Sequence, residues 1–209
     1  MKLLYITNGM NGAGGLERVL SVKASSLAEN YNYEVHIIVL NEPIHRPFYE
    51  FSGKIQFHSI PVNGSTFTKL KSYRSGIQET VNRIQPDVIS VCDDGLKGFF
   101  IPSFLKTTAK IIYERHASIR LNTSKGTLGK ISASIMKRQS PKFDRFVVLT
   151  AANIQEWSGT NIMAIPNPLS FDPAPSSSLT NKNSVASYLV IGIYSKLKNT
   201  LLKLHLFSK

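Results

Sequence analysis

The sequence has 209 residues, 42% of them hydrophobic and 18% charged, an ordinary globular mixture long enough for one good core and a fragment of a second. Lys and Arg outnumber Asp and Glu by 25 to 13, a formal net charge of +12. That excess points to an anionic partner (nucleic acid, a phosphorylated metabolite or a membrane surface) without choosing among them. The single Cys92 excludes an internal disulfide framework and a cysteine-built zinc site, and its apolar run, residues 87–92, reads as a strand holding an inert thiol. The apolar stretch after Met1 is too short for a signal-peptide core and no later run could span a bilayer, so the cytoplasm is the expected compartment.

Short apolar runs alternate with helix-period segments along the chain. Residues 2–7 read as a strand followed by a Gly-rich turn. Leu16, Val19, Leu20, Ala24 and Leu27 then recur at helical spacing. Residues 34–40 form a second strand rich in β-branched side chains, and 55–61 a third, nearer a sheet edge. Leu70, Tyr73, Ile77, Val81 and Ile84 make one stripe of the next helix, which Pro86-Asp87 ends before a strand at 88–91. A short helix over 95–105, a strand at 110–114 and a basic helix over 128–138 follow. The strand 145–149 leads to Thr150, which caps a brief helix to Trp157, and a last strand occupies 162–165. Strands nearly free of charge, alternating with helices, imply a parallel sheet covered on both faces: a doubly wound, Rossmann-like α/β domain over residues 1–170. Residues 171–184 turn to Pro, Ser, Asn and Thr and read as a linker. Within 185–209, residues 187–194 read as one more strand and the lysine-rich tail as a short helix, together too little for an independent core.

Four stretches carry a family resemblance. The first is the loop Asn8-Gly-Met-Asn-Gly-Ala-Gly-Gly-Leu-Glu-Arg18, with a Gly-Gly-x-Glu-Arg pattern at Gly14, Gly15, Glu17 and Arg18. The others are Tyr113-Glu-Arg-His116, Phe146-Val-Val-Leu-Thr150 and Ile165-Pro-Asn-Pro168. Taken in this order, from residue 8 to residue 168, they resemble the N-terminal domain of the family 4 glycosyltransferases. The resemblance implies one half of a GT-B fold, in which the N-terminal domain binds acceptor and a second, similar domain binds a nucleotide-sugar. It also implies sugar transfer with retention of configuration, no cofactor and no metal beyond that co-substrate, and polysaccharide or lipid-linked glycan as acceptor.

On this reading His116, at the ligand-collecting edge of a doubly wound sheet, is the candidate catalytic residue that hydrogen-bonds the sugar. Gly14 and Gly15 bring backbone amides and a helix N-terminus to the donor diphosphate, or simply make a turn. Arg18 could meet the same anion or a surface carboxylate. Glu114 and Arg115 point to opposite sides of their strand, so only one shares the histidine's direction. Asp93 and Asp94 either bind acceptor hydroxyls or cap the following helix. No spacing of metal ligands is visible. A basic block runs through Arg115, Arg120, Lys125, Lys130, Lys137 and Arg138, with Ile119, Leu121, Leu128, Ile131, Ile135 and Met136 interleaved; it fits a lipid-linked acceptor or an anionic membrane face, or else is a solvated helix face.

The family's second domain opens with a strand, Gly-Arg and then Lys-Gly, whose Arg and Lys grip the diphosphate. Here Gly192 is followed by Ile193, and Lys198 by Asn199, with no acidic motif after them. The chain is therefore expected to end before the donor half and not to transfer sugar alone. A non-catalytic basic module for an anionic partner is the rival class. Nucleic acid is the least expected such partner, since aromatic residues rarely interleave with the basic ones.

Overall fold

Seven short runs of branched and aromatic residues become seven parallel strands. They are β1 (Lys2–Thr7), β2 (Glu34–Leu40), β3 (Gln56–Ile60), β4 (Val88–Cys92), β5 (Lys110–Arg115), β6 (Arg145–Val148) and β7 (Ile162–Ala164). They hydrogen-bond in the order β3-β2-β1-β4-β5-β6-β7. The order reverses at β1, the switch point of a doubly wound sheet. The computed structural model describes residues 1–42, 47–93, 95–123, 126–168, 188–193 and 202–207. Two units divide the chain, Met1–Ser170 and Phe171–Lys209.

Period-two alternation sorts the strand residues between two cores. Leu3, Tyr5, Val35, Ile37 and Val39 pack against Leu20, Ala24 and Ala28 of α1 (Gly15–Asn30). Leu4, Ile6, Ile38, Ile89, Val91, Tyr113 and Phe146 face the other way. There they meet α2 (Thr66–Ile84), the short α3 (Ile101–Phe104) reached through a 3-10 turn, and α5 (Gly126–Gln139), which follows the single turn α4 (Arg120–Thr123). Aromatic rings fill this second core: Tyr113 stacks on Phe146 with centroids 5.1 Å apart, and Phe99 on Trp157 at 5.7 Å. Thr150 caps α6 (Ala151–Ile154), its hydroxyl accepting from the Asn153 amide.

Leu70 departs from the expected stripe of α2. The stripe is buried from Tyr73 onward, whereas Leu70 is 53% exposed and Phe67 beside it 78%. The cause is length. Nineteen helical residues span about 28 Å, but the five residues of β3 span only about 17 Å, so the first turns of α2 overhang the sheet.

A polar chain ties the edge strand β3 to β2. Arg83 Nη2 donates to His58 Nδ1 at 3.1 Å, so His58 donates from Nε2 to His36 Nδ1 at 3.0 Å, and His36 Nε2 donates to Glu34 at 3.0 Å. Only this donor order satisfies all three contacts. Lys2 Nζ lies 3.5 Å from the same Glu34 carboxylate.

In the second unit β8 (Tyr188–Ile193) pairs antiparallel with β9 (Leu202–Phe207). The tail expected to hold a short helix thus supplies a strand. Its Leu202-Lys-Leu-His-Leu-Phe207 run alternates apolar and polar residues, which suits a strand rather than a helix. The proposed linker, residues 171–184, lies outside the described residues.

Candidate functional site

The carboxyl ends of the parallel strands bring together the loop after β1, Asp93 after β4, His116 after β5 and residues 165–168 after β7. A cavity of about 150 Å³ opens at this edge, lined by Lys23, Glu114, His116, Leu149, Ile165 and Asn167 among others. Strand alternation decides which side chains reach it. Glu114 and His116 turn to the α1 side, His116 Nε2 lying 3.6 Å from Glu114 Oε2.

Glu114 is the electrostatic centre of the site. Lys23 of α1 pairs with its Oε2, and Ser90 of β4 donates to its Oε1 at 2.5 Å. Burial pushes the Glu114 carboxyl up, but His116, Lys23 and Ser90 together outweigh it and hold the group down to about 2. The Lys23 ammonium also sits 5.1 Å from the centre of the Tyr5 ring, and burial beside Glu114 raises the Tyr5 phenol well above its usual range. The result is a carboxylate that stays ionised in a half-closed, largely apolar cavity, with an imidazole and an ammonium against it. Such a group accepts hydrogen bonds and orients its neighbours; it does not act as an acid near neutral pH.

Arg115 points the other way. It is buried, donating from Nε to the Ala117 carbonyl at 2.8 Å and from Nη2 to Asn122 at 2.7 Å, with the Trp157 ring 5.7 Å away. Glu156 accepts from the Ser118 hydroxyl and the Ile119 amide at 2.8 and 3.0 Å. These contacts fix the segment that carries His116. Asp93 is buried as well, accepting from the Gly95 amide at 2.6 Å and from Asn8 at 2.7 Å, while its carbonyl accepts from the Tyr113 hydroxyl. It ties the β1 and β4 loops together through an Asx turn, and the 3-10 turn that follows begins at Leu96 with no side-chain cap.

The Gly-rich loop is closed by two carboxylates. Glu42 accepts from the Met10 and Asn11 amides at 2.5 and 3.2 Å. The Glu17 carboxylate folds back over this loop, where a Cβ on Gly14 would meet it and one on Gly12 would lie 2.9 Å from it. Gly14 is extended at the helix N-cap, and neither it nor Gly15 is left-handed, so the loop does not use glycine's left-handed freedom at these positions. Space over Gly15 is open, and Arg18 is exposed in the first turn. Of the basic block, Arg120, Lys130 and Arg138 are exposed and Lys137 half-buried. Ile119 and Met136 belong to the core, whereas Leu128 is 81% and Ile131 53% exposed. Asp94, Lys125 and Lys198 lie outside the described residues.

Lys23, Ser90, Glu42 and the neighbourhood of Cys92 were missing from the sequence reading. Lys23 alone left a signal, a lysine one turn after Val19 and one before Leu27 on a core-facing row. A single cysteine excludes a zinc site built from cysteines. The fold nonetheless brings Cys92, Glu114 and His116 together, one donor atom from each lying within 4.8 Å of the others. Among the described residues no helix is long and apolar enough to cross a membrane.

No family model and no curated protein matches the sequence. Solved structures do. A lipopolysaccharide outer core galactosyltransferase, WaaB, aligns with a TM-score of 0.58 and 14% identity over 89% of this chain and 51% of its own. Sucrose-phosphate synthase from Thermosynechococcus elongatus aligns at 0.63 and 11%, over 79% of this chain and 47% of its own. Anabaena HepE, solved with UDP and glucose, aligns at 0.55 and 11%, over 81% and 45%. A UDP-GlcNAc 2-epimerase from Methanocaldococcus jannaschii gives 0.51 and 15%, over 80% and 46%. This chain spans about half the length of each. At these identities the likeness is one of fold: residues 1–168 carry the α/β, Rossmann-like sheet found in glycosyltransferases of GT-B fold and in UDP-sugar epimerases.

Proposed function

We propose that this chain is the acceptor-side half of a retaining family 4 glycosyltransferase, which moves a sugar from a nucleotide-sugar to a lipid-linked or polysaccharide acceptor. What carries the reading is the cavity at the carboxyl edge of the sheet, where His116 stands against the ionised Glu114. In this role His116 hydrogen-bonds the transferred sugar and Glu114, braced by Lys23, orients the imidazole. The amides near Gly15 and the Arg18 side chain approach the donor diphosphate, and Glu17 and Glu42 must yield to it. The cationic groups that would stabilise a departing diphosphate belong to the other half, so this chain alone does not turn over. Calorimetry of the purified chain against a panel of nucleotide-sugars is expected to show no tight binding. A clear micromolar isotherm refutes the half-enzyme reading. In a complex with a donor half, His116→Ala is expected to lower turnover without lowering the melting temperature in proportion; unchanged turnover removes the histidine from the mechanism.

The acceptor side extends to a membrane contact through α4 and α5. Leu128 and Ile131 stand exposed one turn apart beside Arg120, Lys130 and Arg138, apolar groups to enter a bilayer and cations to meet its anionic headgroups. Co-sedimentation with phosphatidylserine vesicles should fall as salt rises and fall further in Leu128→Asp/Ile131→Asp. Binding indifferent to both returns the block to a solvated face.

A further inference from the structure

We propose that Cys92, Glu114 and His116 form a binding site for a thiophilic divalent cation such as Zn²⁺, which enters from the cavity at the sheet edge in exchange for the Lys23 ammonium. The donors come from adjacent strands. Val91 pairs with Tyr113 in the β4–β5 ladder, which sets Cys92 beside Glu114, and His116 follows two residues later on the same side. Sγ, a carboxylate oxygen and an imidazole nitrogen thus lie within 4.8 Å of one another.

The donor set is selective. Thiolate, imidazole and carboxylate are zinc's own ligand types, at bond lengths of roughly 2.0–2.3 Å. Tetrahedral geometry then sets donor separations of roughly 3.3–3.8 Å, inside the 4.8 Å within which the three donors lie. A sulfur and a nitrogen donor disfavour Mg²⁺ and Ca²⁺, which prefer all-oxygen sites. Three protein ligands leave a fourth position for water or for the Ser90 hydroxyl, already 3.7 Å from Cys92 Sγ. Cys92 has no exposed surface, whereas Glu114 and His116 line the cavity, so they give an ion a route to the thiol.

Lys23 shows that this pocket already holds a cation against Glu114. Exchange is charge-balanced. The ion brings two positive charges, the Cys92 thiol releases one proton to solvent as the metal–sulfur bond forms, and the Lys23 ammonium, 25% exposed, swings out to water. The buried sum is zero before and after, which avoids the cost of an unpaired internal charge. No electron transfer occurs. A bound ion removes Glu114 and His116 from the cavity and so excludes any other ligand there. The site does not depend on the sugar-transfer reading.

Co²⁺ titration of the purified chain, as a coloured substitute for Zn²⁺, tests it. The expected result is a near-ultraviolet thiolate–cobalt band that saturates at one ion per chain, is displaced by Zn²⁺ and is unaffected by Mg²⁺. Cys92→Ser should abolish the band, His116→Gln should weaken binding at least tenfold, and Lys23→Met should tighten it. His116→Gln, at the cavity wall, decides the matter if Cys92→Ser does not fold. Absence of the band in the unmodified chain, or its persistence in Cys92→Ser, overturns the proposal, as does unaltered affinity in His116→Gln.

Discussion

Replacing Lys23 by Met tests whether the ion pair under the cavity behaves as a buried one. The change keeps most of the aliphatic stem and removes the ammonium from Glu114. An exposed pair would cost 0–1 kcal/mol to break, and a fully buried one about 3–5 kcal/mol, because it strands the remaining charge. Here the side chains are 25% and 13% exposed, and Ser90 and His116 still hold the carboxylate. The expected loss is therefore about 2–3 kcal/mol at pH 7, with up to about 1 kcal/mol from the lost contact with Tyr5. For a chain of this size that lowers the melting temperature by roughly 5–10 °C. The pH dependence fixes the cause. In the native chain Glu114 sits below its unfolded pKa, so its contribution is complete above about 4.5 and disappears as pH falls through about 2. Without Lys23, burial raises the carboxyl, which then protonates earlier on acidification, so the deficit of the variant should narrow between pH 7 and pH 4. Glu114→Gln in the same background should restore most of the loss. Paired thermal and urea melts at the two pH values decide it. A drop under about 2 °C, or a gap that stays constant with pH, would show that the pair is not what stabilises the site.

The His36–His58 chain predicts an acid-labile edge. Burial, His36 and Arg83 lower His58 from 6.5 to about 4, so the unfolded chain takes up that proton first and stability falls as pH drops from about 6.5 to 4. His58→Gln should flatten the decline, and parallel urea midpoints across pH 7, 5.5 and 4.5 would refute the cause. Gly76→Ala should destabilise by about 1–2 kcal/mol despite better helix propensity, because the new Cβ meets Ile60 Cγ2. In an Ile60→Ala background the sign should reverse; a raised urea midpoint in the unmodified background would mean the contact is absent.

The strands and long helices were legible because a short β-branched run such as Glu34–Leu40 and a 3.6-residue stripe such as that of Thr66–Ile84 differ sharply. Errors arose where tertiary geometry overrides pattern. Leu70 obeys the helical period but has no sheet beneath it. β9 is a different case: its alternation suits a strand, and the lysine-rich composition of the tail masks it. The site divides in the same way. His116 could be singled out from Tyr113-Glu-Arg-His116 and its place after a strand. Ser90 and Cys92 could not, since they lie far from it in sequence and meet it only through the β4–β5 pairing, and Lys23 shows only as a lysine on a core-facing row of α1. Glu17 shows in the sequence only as the acid of the Gly-Gly-x-Glu-Arg pattern. Its folding back over Gly12 and Gly14, and the closing of the loop by Glu42, depend on backbone positions that composition does not encode.

The reversal of strand order at β1 has a consequence during synthesis. β1 is flanked by β2 and β4, and Leu3 pairs with Val88, a partner 85 positions later in the chain. At about 5–20 residues per second, that partner reaches the growing chain roughly 4–17 s after β1 does. Until then the parallel β1–α1–β2 unit presents an unpaired apolar edge on a strand destined for the interior of the sheet. A strand paired on both sides in the finished molecule is thus open on one side at birth, a natural point for chaperone capture. Slowing translation between residues 40 and 88 should increase aggregation of nascent chains more than slowing it beyond residue 110.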